Sequence, residues 1–143
     1  MVSNEVGLLY VAPAIFGIII SLVEIFFVMG DEGGMHPLTH GLHAVPTCLI
    51  FTYVAMNAPV LSNYLSSTLG WDFLVGTVGN ILIPVFIGLI ATIKVKSAAA
   101  IISGGHNSVG EKLPHALLVG VLIGATPLAI PFIVPMLPEI LRR

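Results

Sequence analysis

Charge is what this sequence has least of. Only 8% of its 143 residues are Asp, Glu, Lys or Arg, against about 25% in an ordinary soluble domain. Five basic and seven acidic residues cannot clothe a globule of this size in water, which excludes a soluble enzyme and a disordered tail. Five cations at a net charge of −2 leave no footprint for phosphate, which excludes a nucleic-acid binder. Cysteine is nearly absent as well. Cys48 stands alone, so no disulfide forms within the chain, and its apolar surroundings predict core packing. The start, MVSNEV, carries no Lys or Arg. A secretory signal wants a basic start and a shorter apolar run, so the first segment is expected to be a retained span. No phosphate loop, nucleophile elbow or Ser/His/Asp set is visible.

What remains is apolar. Hydrophobic residues make up 57% of the chain and the mean hydropathy is +1.07, which defines a polytopic membrane protein. Four apolar stretches stand out, at about 7–30, 37–61, 73–93 and 115–137. Each supplies the ~20 residues a helix needs to cross ~30 Å of hydrocarbon. Runs such as IFGIIISLV do not alternate as barrel strands would, and an unpaired backbone is not tolerated in lipid. The expected fold is therefore all-α: a single domain over residues 1–143, an integral membrane four-helix bundle with short loops.

Proline punctuates this plan. Pro37 and Pro114 suit first helical positions. Pro46, Pro84, Pro127, Pro131 and Pro135 lie inside spans, and the last three predict a kinked fourth helix. Trp71 and Tyr64, in the polar turn between the second and third spans, suit a membrane interface. The segment KVKSAAAIIS reads as a helix end or a short surface helix. With four spans, both termini share one side. The basic count, three on the loop side against two at the C-terminus, is too close to fix the orientation.

All five histidines fall at the loop end of this topology, with Glu24, Asp31, Glu32 and Glu111 near them. His36, His40 and His43 are four and three residues apart, so they share a helix face. In an antiparallel hairpin Glu24 and His43 come to similar depths, roughly 10 Å and 9 Å in at 1.5 Å per residue. A carboxylate within a span is costly and marks an interior or a wet cavity. The expected partner of Glu24 is His43 or His40, with His36 and His115 near the same end. Imidazoles plus a carboxylate bind a divalent transition metal such as Zn, Cu or Fe. The same groups also pass protons near neutral pH. Haem ranks behind these, since it would need His115 as a second axial ligand. Plain headgroup-level histidines and a hydrogen-bonded glutamate are the structural alternative.

Asn57 and Asn80 are expected to contact other helices or to line a polar path. Gly76, Asn80, Pro84, Gly88 and Thr92 share a face of the third span, and Gly120 and Gly124 form a small-residue pair in the fourth. The stretch VGTVGNILIPVFIGL resembles glycine–asparagine segments of several small channel and transporter families. The threonine- and serine-rich span that follows it in fluoride channels is missing, so no family is assigned. The functional expectation is passage or binding of a cation, metal ion or proton, at the Glu/His cluster of a homo-oligomer in a cell membrane. The alternative is a non-catalytic accessory subunit beside other membrane subunits of a respiratory or oxygenase-type complex. An enzyme in its own right ranks last.

Overall fold

The computed structural model describes residues 7–31, 37–102 and 113–142. Every regular element among them is helical. The helices are α1 (Val11–Asp31), α2 (Pro37–Met56), α3 (Ala58–Leu69), α4 (Thr77–Ile102) and α5 (Leu113–Ala125), followed by a short α6 (Ile130–Ile133). Two stretches, Thr77–Ser97 and Leu113–Met136, are long and apolar enough to cross a membrane. The bent pair α2–α3 makes a third if it counts as one span. The apolar part of α1, Val11–Phe27, is shorter.

The second apolar stretch is therefore not one straight helix. It breaks at Asn57 with a bend of 69°. Pro59 follows in the first turn of α3. It has no N–H to give to the carbonyl one turn back, and its ring crowds that carbonyl. Asn57 turns the break into a tie. Its Oδ1 accepts a bond from Leu9 N–H at 2.7 Å, and its Nδ2 donates to Leu9 O at 3.0 Å and to Tyr53 O at 2.9 Å. The start of α1 is thereby fixed to the end of α2, which sets the two helices antiparallel. Beyond the bend, Gly70 ends α3 in the left-handed conformation (φ 68°), its N–H bonded to Ser66 O at 2.9 Å. Trp71, Phe73 and Tyr64 are exposed around this turn.

The third stretch is longer than its apolar core. KVKSAAAII continues α4 to Ile102, so this segment is a helix end rather than a separate surface helix. The fourth keeps its length but changes its winding. After Ala125 it tightens into 3-10 turns at Thr126–Ala129 and Val134–Met136 on either side of α6, with Pro127, Pro131 and Pro135 near the start of each piece. Pro127 cannot serve Ile123 O. The Thr126 hydroxyl takes its place, donating to that carbonyl at 2.7 Å.

One core joins α1, α2, α4 and α5: Ile20, Cys48, Ala55, Ala91, Val95, Ala116, Val119 and Ile123. Its side chains are mostly small, which lets backbones approach. On α1, a Cβ at Gly17 would lie 2.9 Å from Leu49 Cα. Between α4 and α5, a Cβ at Gly88 would lie 2.5 Å from Gly120 O, and one at Gly120 would collide with Gly88 O and Thr92 Oγ1. The predicted small-residue faces of the third and fourth spans are thus the surfaces on which those helices meet. The outside is apolar: Ile18, Leu22, Phe26, Ile50, Leu82, Phe86, Val121 and Phe132 are all exposed.

Candidate functional site

Glu24 lies three turns into α1, on the face that continues from Gly17 through Ser21 toward α2. It is 4% exposed. Its Oε2 accepts a hydrogen bond from the Cys48 thiol at 3.0 Å, and Cys48 is fully buried. The partner of Glu24 is therefore a thiol of α2 and not the expected imidazole. Two features of helix geometry account for this. Side chains lean toward the N-terminus of their own helix. In an antiparallel pair Glu24 leans inward, away from the histidine end, while Cys48 leans outward to meet it. Rotation completes the choice. The inward face of α2 is Ala44, Cys48, Thr52 and Ala55, whereas His43 is about 140° around the helix from Cys48 at 100° per residue and is exposed.

The other expected residues are placed as follows. His36 falls outside the described residues. His40 is in α2, but its side chain also lies outside what is described. His115 is half-buried in the first turn of α5. Its ring stacks on Phe27, with centroids 4.5 Å apart and planes at 12°, a contact of about 0.5–1.5 kcal/mol. Phe27 is one turn from Glu24, so His115 stands one layer outward of the carboxyl. Asn57 ties α1 to α2 as described, and Asn80 is exposed on α4. Among the described residues, no three of His, Cys, Asp and Glu come together as a metal-binding group.

The inward face of α2 carries a further polar group, Thr52. It is 0% exposed and its hydroxyl has no hydrogen-bond partner among the described residues, a state that costs about 1–3 kcal/mol. The sequence held a signal for this face. Ala44, Cys48 and Thr52 recur every four residues, the spacing of one helix face. The histidine face beside it drew the attention because imidazoles are the commoner ligands.

Chemically, the arrangement is a carboxyl and a thiol sharing one hydrogen bond inside a mostly apolar core. The basic side chains that are described, Lys94, Lys96 and Arg142, are all exposed. A carboxylate in such surroundings needs a proton or a counter-cation. The fold and site together define a small all-helical protein with membrane-length helices and a buried ionisable pair. The chain matches no protein-family model, no curated protein and no solved structure.

Proposed function

We propose that this is a multi-pass membrane protein in which α1, α2, α4 and α5 form a four-helix bundle, and that it binds and passes a cation at Glu24. The cation favoured is the proton. The observation that carries this reading is the buried Glu24 carboxyl held by the Cys48 thiol. Both groups carry protons, and an ionisable residue at membrane depth marks a functional site by default. His115, one turn outward, is a third proton-carrying group on the route from the membrane face. Toward the other end the core is filled by Ile20, Ala55, Ala91 and Ile123, so passage belongs to an oligomer whose copies complete the route.

The test is proton uptake by liposomes containing the protein and a pH-sensitive dye. Glu24→Gln keeps the shape and removes the titrating group, so uptake falls to the level of empty liposomes. Equal uptake by the parent and the variant refutes the reading. Metal analysis of untagged protein separates the alternative cation: stoichiometric Zn, Cu or Fe that is lost in Glu24→Gln moves the assignment from proton to metal.

A second reading rests on a different observation. The centre is closed and the exterior apolar, as suits an accessory subunit covered by lipid and by other membrane subunits. A larger complex recovered after mild solubilisation, with no uptake by the isolated protein, supports that reading.

A further inference from the structure

Hydroxyl side chains in these helices follow a common habit. Ser21 donates to Gly17 O, Thr47 to His43 O, Thr92 to Gly88 O and Ser97 to Ile93 O, each to the carbonyl four residues back. Thr52 does not. Its hydroxyl, fully buried, is not bonded to Cys48 O or to any other described group. Thr52 shares a face with Cys48 and leans toward it, since helical side chains lean toward the N-terminus. Ser21, 1% exposed, lies on the facing side of α1, between the anchor Gly17 and Glu24. Four buried polar side chains of α1 and α2 thus lie in adjacent layers, and one of them has an unused hydroxyl.

Buried polar groups left over by the protein are met by ordered water, which takes about three hydrogen bonds. We propose that one water molecule is bound between the Thr52 hydroxyl, the Cys48 thiol and the Ser21 hydroxyl. It joins Thr52 to the Glu24–Cys48 pair in a single hydrogen-bonded chain. The proposal deepens the reading of Glu24 as a proton site and rests on it for its purpose: the water extends the proton-carrying groups one turn further across the membrane. Ala55, Ala91 and Ala116, all buried, keep the surrounding core small-sided.

Cys48 is the one cysteine of the chain, so the S–H stretching band in an infrared spectrum belongs to it alone. The experiment follows that band for the full-length protein in lipid after transfer to D2O. Each proton that leaves the thiol for the water oxygen is replaced on sulfur by a deuteron, so the S–H band gives way to S–D. In the Thr52→Val variant, which keeps the shape and removes the hydroxyl, exchange slows by about tenfold, or ~1.4 kcal/mol on the barrier, and the band shifts. Thr52→Ser restores both. An S–H band that never exchanges in the parent, or that exchanges equally fast in Thr52→Val, overturns the water site. Glu24→Gln in the uptake assay tests the function separately. Normal uptake there together with a Thr52-dependent S–H band refutes the proton-site reading and leaves the water site standing.

Discussion

Gly120→Ala is the sharpest perturbation of the packing. A Cβ at this position of α5 would run into Gly88 O and Thr92 Oγ1 of α4. Thr92 can rotate, at the loss of its bond to Gly88 O. The Gly88 carbonyl is backbone and cannot move without the helix. The two helices must therefore separate along the strip that holds Ala91, Val95, Ala116 and Val119. Overpacking of this kind costs about 3 kcal/mol at the upper end of the usual range, while the better helix propensity of alanine returns about 1 kcal/mol. The net loss is about 2 kcal/mol. Gly124→Ala brings the same propensity gain against a milder contact, 3.1 Å from Pro84 O, and should be near neutral. Gly7→Ala meets nothing within 4 Å and is the control. The assay is reversible unfolding in a mild detergent titrated with a denaturing one, followed by circular dichroism. Gly120→Ala as stable as the parent would refute the close approach of α4 and α5.

Cys48→Ala removes the donor from Glu24 and should lower the unfolding temperature, whereas Cys48→Ser keeps a donor and should remain within about 1 kcal/mol of the parent. Equal losses in the two variants would show that the thiol acts through packing. Asn57→Leu orphans the N–H and C=O of Leu9 and should cost about 1–3 kcal/mol for each group left unpaired. Hydrogen exchange at Leu9 should rise sharply, and unchanged protection there would contradict the tie. Trp71, the single tryptophan, is exposed at the turn after α3. Its fluorescence should be quenched by labels at headgroup depth and not by labels at the end of the acyl chains; the reverse order would place α3 inside the bilayer.

Helix was legible from composition, because lipid leaves the backbone no other way to satisfy itself and alternation was missing. The small-residue faces were legible too, since Gly88, Thr92, Gly120 and Gly124 recur at helical spacing. The break at Asn57 was harder to see. Pro59 sits in an apolar run as other prolines do, and only the cross-helix bond from Asn57 to Leu9 shows why the chain turns there and not at Pro46 or Pro84, both of which stay inside helices.

By itself, then, the sequence determined the solvent and the element type: a paucity of charge excludes water as the surroundings, and long apolar runs impose helices. It also marked Glu24, since a lone carboxylate in such a run is costly wherever the chain goes. Tertiary structure decided the partner. Depth along a hairpin can be counted from residue numbers, and on that count His43 matched Glu24. Rotation of each helix about its axis and the lean of its side chains are set by packing, here by Gly17 against Leu49 and by Asn57 on Leu9. Those contacts turned Cys48 and Thr52 inward and left His43 outside.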